Sequence, residues 1–165
     1  HSNVCDKLKW QVELAEKMKD AIQRNIPVLG ICFGHQLMAD AFGGRVDLIS
    51  KDKIELEGIR EYQILTDHLG FKKGDTYTNF ISHSYEVKEI PKDFIHLGTS
   101  KDCLYEALAH RDYNYISFQG HPEASSNFVN EHFDDPISDE QLKSGLDGGH
   151  SIISKFIDLV KEVSY

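Results

Sequence analysis

Two short segments contain residue types that together could carry out nucleophilic attack on an amide. In Gly30-Ile31-Cys32-Phe33-Gly34, a thiol follows a short apolar run and opens a helical pattern, which is the layout of a nucleophile elbow. The helix start offers free backbone N–H groups and a positive dipole end, and both favour a thiolate over a thiol. The N–H of Phe33 would then face an oxyanion on the attacked carbonyl. On these five residues alone, a small buried cysteine without a chemical role is an equally good interpretation.

The second segment supplies the acid–base pair that a thiol nucleophile needs. His121-Pro122-Glu123 directly follows the strand-like run 115–120. A histidine can accept the thiol proton and return it to a leaving amine, while a carboxylate fixes its tautomer. Residues two apart in extended backbone project to the same side, which favours contact between His121 and Glu123. An isolated His-x-Glu is more often a surface pair, so catalysis requires that both strands end at one edge of a parallel sheet.

The elements that must position these segments follow an α/β rhythm. Apolar spacing predicts a helix over 6–24, then a strand over 26–31 buried on both faces, then a helix over 34–42 that ends at Gly43-Gly44. Alternating runs predict further strands, with the last two joined as a hairpin through residues 112–114. The predicted strands are 45–50, 53–65, 77–82, 94–99, 104–110 and 113–119. Two helices follow, over 126–133 and over 151–163 with Ser151 as N-cap, and the acidic, Gly-rich stretch 134–149 between them reads as an exposed loop.

Both chemical segments also carry a family resemblance. Pro27-Val28-Leu29-Gly30-Ile31-Cys32-Phe33-Gly34-His35-Gln36-Leu37-Met38, together with Gln119-Gly120-His121-Pro122-Glu123, resembles the class I glutamine amidotransferases, and among them the GMP-synthase-like glutaminase domains. The resemblance covers the chain from the first helix through Glu123. It implies a three-layer, mostly parallel open sheet of the flavodoxin-like type, here with an antiparallel hairpin. Residues 1–165 are accordingly expected to form a single domain, which lacks the N-terminal strand and oxyanion loop of the family.

The resemblance implies roles for individual residues. Cys32 is the expected nucleophile, His121 the base and then the acid, and Glu123 the residue that orients His121. Gln36 is expected to hold the substrate glutamine, and so is the segment 82–87, through the positions Ser82, Ser84 and Tyr85. For His83, an ordinary exposed loop histidine is at least as good an interpretation as a catalytic one, and His35 is expected to pack or cap.

These features predict a cysteine-dependent glutamine amide hydrolase that releases ammonia through a γ-glutamyl thioester. Two alternatives stay open: a γ-glutamyl peptide hydrolase with the same triad, and a non-catalytic redox or binding domain. The reaction needs no cofactor, and no cysteine or histidine spacing predicts a metal site. A net charge of −9 disfavours nucleic acid and anionic membranes as partners. Three cysteines fit a reducing cytoplasm better than a disulfide framework. Glutamine and a synthetase subunit that receives the ammonia are the expected partners.

Overall fold

A computed structural model describes residues 3–52 and 54–163 of the 165-residue chain. A 3-10 turn at Val4–Asp6 precedes the helices α1 (Lys9–Gln23), α2 (Phe33–Ala41), α3 (Ser126–His132) and α4 (Asp139–Val163). The strands are β1 (Val28–Ile31), β2 (Arg45–Leu48), β3 (Leu56–Ile64), β4 (Thr76–His83), β5 (Tyr85–Glu89), β6 (Phe94–Thr99), β7 (Ala107–His110) and β8 (Tyr115–Phe118). Residue 53, at the start of one predicted strand, lies outside the described residues.

The strands form a mixed sheet and a separate ribbon. The main sheet has the order β1-β8-β7-β6-β3-β4, and β2 pairs with β5 in the ribbon. β1 and β8 are parallel, with Ile31 opposite Phe118, while the other four pairings of the main sheet are antiparallel. The predicted α/β class is confirmed. The sequence predicted a mostly parallel sheet with one antiparallel hairpin, whereas the antiparallel part of the described sheet extends well beyond the β7–β8 hairpin.

Helices cover both faces of the sheet, as expected for three layers. All four residues of β8 are buried, with Tyr115 in one core cluster and Ile116 and Phe118 in the other. Tyr115 packs with Ile22 of α1 and Met38 of α2, whereas Phe118 packs with Ile152 of α4 on the opposite face. Burial on both faces explains why the strand reads as a nearly continuous apolar run.

β1 is less enclosed than predicted. It lies at one end of the described sheet with β8 as its one neighbour there, and three of its four residues keep partial exposure. The prediction of a strand buried on both faces is therefore wrong for β1 within the described residues and holds for β8 instead.

The C-terminal helix is the largest departure from the sequence prediction. α4 begins at Asp139, so residues 139–149 are helical rather than an exposed loop, and Ser151 lies inside the helix rather than at its N-cap. Gly145 and Gly149 are buried on the face of α4 that packs toward β4 and Pro122. Packing of this face outweighs the low helix propensity of glycine, which sequence reasoning weighted too heavily.

β5 was also missed, because its residues read as part of a substrate loop. It pairs with β2, a contact between distant segments of the chain that local pattern does not reveal.

Within residues 3–52 and 54–163, no helix is long and apolar enough to cross a bilayer. The same residues include no group of three or more His, Cys, Asp or Glu placed to hold a metal ion.

Candidate active site

Cys32 occupies a strained turn between β1 and α2. Its backbone has φ 45° and ψ −97°, a conformation that non-glycine residues seldom adopt. The Cys32 N–H donates to the Phe118 carbonyl at 2.9 Å, so the parallel pairing with β8 continues up to the thiol. α2 begins at Phe33, which places the Phe33 N–H among the donors that a helix start leaves without an intrahelical partner. Strain at a nucleophile held between a strand and a helix is the geometry of an elbow.

The two glycines of the elbow differ in their packing. A Cβ added at Gly30 would lie 2.9 Å from the Tyr115 hydroxyl and 3.0 Å from the Ser117 Cβ. An added Cβ at Gly34 would meet no heavy atom within 4 Å. Close approach of neighbouring elements therefore requires glycine at position 30 but not at position 34.

His121 and Glu123 form the predicted pair directly after β8. The His121 Nδ1 lies 2.8 Å from the Glu123 Oε1, and the His121 N–H donates to the Phe80 carbonyl at 2.7 Å, which ties this segment to β4. Burial alone would lower the pKa of His121. Hydrogen bonds with Cys32 and Glu123, together with their negative charges, outweigh burial and raise the pKa to about 10. The raised pKa favours the protonated ring between the Cys32 sulfur and the Glu123 carboxylate.

A cavity of about 340 Å³ opens beside the sulfur. Its lining includes every residue predicted to bind substrate or the oxyanion, namely Phe33, Gln36, Ser82, Ser84 and Tyr85, together with Cys32 itself. His83, Glu55 and Asn3 complete the lining. His121 and Glu123 are not among the lining residues. The geometry suits attack by Cys32 on a small molecule in the cavity.

Backbone carbonyls of the segment 82–85 are fixed by side chains from α2 and β4. The Tyr85 carbonyl accepts from the Gln36 Nε2 at 2.6 Å and lies 2.9 Å from the His83 Nδ1. The Ser82 carbonyl lies 3.8 Å from the Cys32 Sγ, and the Ser82 hydroxyl donates to Glu55 at 2.9 Å. Side-chain control of these carbonyls holds the cavity wall in place.

His83 is buried, so the interpretation of an exposed loop histidine is wrong. Burial lowers the pKa of His83 to about 4, and the ring is neutral at physiological pH. The Arg60 Nη1 lies 3.2 Å from the His83 Nε2 and must donate to it, so the ring proton sits on Nδ1 and is donated to Tyr85. Arg60 also donates to Glu106 at 2.9 Å, and both side chains are at most 5% exposed.

The sequence analysis did not identify Arg60 and Glu106, because neither residue lies in a motif. Only the fold brings Arg60, on β3, beside Glu106, which precedes β7. Gln119 was also given no role, although Gln119 is part of the second family motif.

His35, Cys5 and Cys103 differ from Cys32 in burial and backbone geometry. His35 is fully buried and its Nδ1 lies 2.9 Å from the Ser117 Oγ, so it packs as predicted. Burial lowers the pKa of His35 to about 3. Cys5 is exposed and Cys103 is buried, and burial raises the pKa of the Cys103 thiol. Neither thiol has the elbow backbone of Cys32.

Comparison with known proteins places this geometry in a family. A family model described as glutamine amidotransferase class-I matches residues 8–134. The chain is 40% identical over 100 residues to a GMP synthase (glutamine-hydrolyzing) subunit of Methanopyrus kandleri, a match that covers 59% of this chain and 52% of the relative. It is 38% identical over 101 residues to GMP synthase (glutamine-hydrolyzing) of Vibrio cholerae, which covers 61% of this chain and 19% of that protein.

Solved structures support the same fold. The crystal structure of a glutamine amido transferase from Methylobacillus flagellatus superposes with a TM-score of 0.70 at 23% identity, over 97% of this chain and 70% of that one. A glutamine amidotransferase from Thermotoga maritima gives a TM-score of 0.69 at 19% identity, over 93% of this chain and 68% of that one. The match to the family model covers well over half of the sequence, and the chain therefore belongs to the class I glutamine amidotransferase family.

Proposed function

We propose that this chain hydrolyses the side-chain amide of glutamine and releases ammonia. The observation that carries the proposal is the meeting of the two chemical segments. The parallel pairing of β1 with β8 brings the strained Cys32 beside the hydrogen-bonded His121–Glu123 pair, and Cys32 also lines a cavity. The names of the relatives, which include the words glutamine-hydrolyzing, support the same substrate.

In the first half-reaction the Cys32 thiolate attacks the carbonyl carbon of the glutamine amide. A C–S bond forms, and the Phe33 N–H stabilises the charge on the oxygen. The C–N bond then breaks as the protonated His121 donates its proton to the leaving nitrogen. Ammonia and a γ-glutamyl thioester on Cys32 are the products.

In the second half-reaction the neutral His121 accepts a proton from water, which attacks the thioester. The C–S bond breaks, glutamate leaves and the thiolate–imidazolium pair is restored. Glu123 accepts a hydrogen bond from the Nδ1 side of His121 throughout, so the Nε2 side handles the proton. These steps use protein side chains and water alone.

Gln36 and the wall segment 82–85 are the proposed contacts to the rest of the substrate. Gln36 lines the cavity, and its amide nitrogen is already engaged by Tyr85 and Gln119. Its side-chain oxygen is therefore the atom suited to accept from a substrate N–H. Ser84 and the backbone of Ser82 and Tyr85 line the same cavity and suit the polar amino-acid end of glutamine.

The test compares three proteins with two substrates. Ammonia release from glutamine and glutamate release from a γ-glutamyl dipeptide are measured for the parent, for Cys32→Ala and for Cys5→Ala, a control that removes an exposed thiol outside the site. We expect ammonia from the parent and Cys5→Ala only. Glutamate from the dipeptide but no ammonia from glutamine would favour the peptide hydrolase, and equal rates for parent and Cys32→Ala would exclude both enzymes.

We further propose that the described residues form one glutaminase-type domain that supplies ammonia to a synthetase on another chain or domain. α4 packs on β4 of the same sheet as the catalytic strands, which supports a single domain. The chain spans about half the length of the curated GMP synthase subunits that it matches. A synthetase partner is tested by titrating a GMP synthase synthetase subunit into the glutaminase assay. A rise in turnover during the titration is expected, and no change at saturating concentrations would contradict the partnership.

A further inference from the structure

Gln119 is a buried amide next to the sulfur, and the steps above do not use it. It follows β8 directly, has no exposed surface, and its N–H donates to the Glu106 carbonyl at 2.8 Å. Its side-chain Nε2 lies 3.7 Å from the Cys32 Sγ, within hydrogen-bonding range of sulfur. Gln119 therefore touches the reacting atom.

The orientation of this amide is fixed by its partners rather than chosen freely. The Gln36 side chain faces the Tyr85 carbonyl, which can only accept, so the atom of Gln36 at that contact must be its NH₂. The same nitrogen lies 3.0 Å from the Gln119 side chain and can only donate, so the facing atom must be the Gln119 oxygen. The remaining end of Gln119, its NH₂, is then the end that faces sulfur.

Besides His121, two groups next to the sulfur have opposite preferences for its protonation state. The Ser82 carbonyl, at 3.8 Å, can accept a hydrogen bond from a thiol and repels a thiolate. The Gln119 amide can donate to a thiolate, and a hydrogen bond to a charged acceptor is stronger than one to a neutral acceptor. We propose that Gln119 is a catalytic residue that donates to the Cys32 sulfur and stabilises the thiolate, with Gln36 and Tyr85 as the positioning residues that orient its amide.

The inference rests on Cys32 being the nucleophile of the proposed function, but its test needs no glutamine. Alkylation of cysteines by iodoacetamide, read peptide by peptide, reports thiolate reactivity even if the chain turns over no substrate. The three cysteines of the chain provide the probe and two internal controls. Cys32 is the probe, exposed Cys5 is the reference for reagent and pH, and buried Cys103 stays unlabelled unless the fold opens.

Two variants are compared with the parent. Gln119→Met keeps a side chain of similar length without a donor, and Gln119→Asn keeps an amide with a shorter reach. Loss of a hydrogen bond to a charged group should reduce the thiolate fraction about tenfold. Because the less stabilised thiolate is also a better nucleophile, we expect the Cys32 rate at neutral pH to fall about threefold relative to Cys5.

The pH dependence separates this role from a structural one. In strong alkali, where the thiol is ionised in every protein, the variants should react as fast as the parent or faster. An unchanged Cys32-to-Cys5 ratio at neutral pH, with Cys103 protected, would overturn the proposal. A rate lowered equally at all pH values would also overturn it, because it would indicate altered access to the sulfur. Labelling of Cys103 in Gln119→Met would show that this variant has opened its fold. Gln119→Asn is then judged by the Cys32-to-Cys5 ratio at neutral pH and by the Cys32 rate across the pH range.

Discussion

The packing of α4 against Pro122, between the two residues proposed as the acid–base pair, makes Gly149 the most informative position to substitute. Gly149 is buried, and a Cβ added there would lie 2.4 Å from the Pro122 carbonyl oxygen. Pro122 links His121 to Glu123, and it is held in turn by the bond from His121 to β4. The Gly149→Ala substitution should therefore displace His121 and Glu123 as well as destabilise the fold.

The magnitude follows from two opposing effects. At a helix position with free space, replacing glycine by alanine stabilises the fold by about 1 kcal/mol. Here the new carbon must move by about 1 Å to reach an ordinary contact distance, and the atoms that it meets belong to the backbone. Overpacking of this kind costs about 1–3 kcal/mol. The two effects together should lower the free energy of unfolding of Gly149→Ala by about 0–2 kcal/mol.

The catalytic effect should be larger than the loss of stability suggests. A displacement of about 1 Å at catalytic groups can reduce turnover about 100-fold. Urea denaturation gives the stability, and ammonia release from glutamine gives the activity. Ser144→Ala, on the exposed side of the same helix, is the matched control and should change neither by much. A Gly149→Ala protein that is as stable as the parent and turns over glutamine equally well would show that the contact with Pro122 has no such effect.

Buried and paired groups lead to three further predictions. Burial holds the pKa of His35 at about 3 and that of His83 at about 4, so below the unfolded-state histidine pKa of 6.5 the unfolded chain binds more protons than the folded one. Each histidine should therefore lower the free energy of unfolding by about 2 kcal/mol between neutral pH and about pH 5. Urea midpoints that do not differ between these two pH values would contradict this. Arg60→Met leaves the buried Glu106 carboxylate without its cation and should cost about 3–5 kcal/mol in the free energy of unfolding, whereas Glu61→Gln, an exposed neighbour on β3, should cost almost nothing. Glu123→Gln removes a negative charge and a strong acceptor from His121 and should lower its pKa from about 10; an NMR titration in which His121 keeps its parental pKa would show that the carboxylate does not act on the ring.

The sequence predicted the candidate site more fully than the fold. Cys32 and His121 could be placed together because each follows a short apolar strand, and parallel neighbours end at the same edge of a sheet. The local pattern carries that information directly. The same holds for the hairpin of β7 and β8, whose turn residues lie in one continuous stretch.

What the sequence did not reveal depends on contacts between distant segments. Gly145 and Gly149 read as loop residues until the sheet surface that they pack against is known. The environment of His83 includes Arg60 of β3 and Glu106 before β7, which lie far apart in the chain. The orientation of the Gln119 amide requires the positions of three other residues, and no spacing rule encodes that arrangement.

The proposed mechanism depends above all on a thioester between Cys32 and the γ-glutamyl group of glutamine. Trapping that adduct tests the mechanism directly. The protein is mixed with glutamine, quenched in acid and digested, and the peptides containing Cys5, Cys32 and Cys103 are weighed by mass spectrometry. We expect a γ-glutamyl adduct on the Cys32 peptide alone, present in Cys5→Ala and absent from Cys32→Ala. Ammonia release without any adduct on Cys32, at a rate that Cys32→Ala shares, would contradict the mechanism.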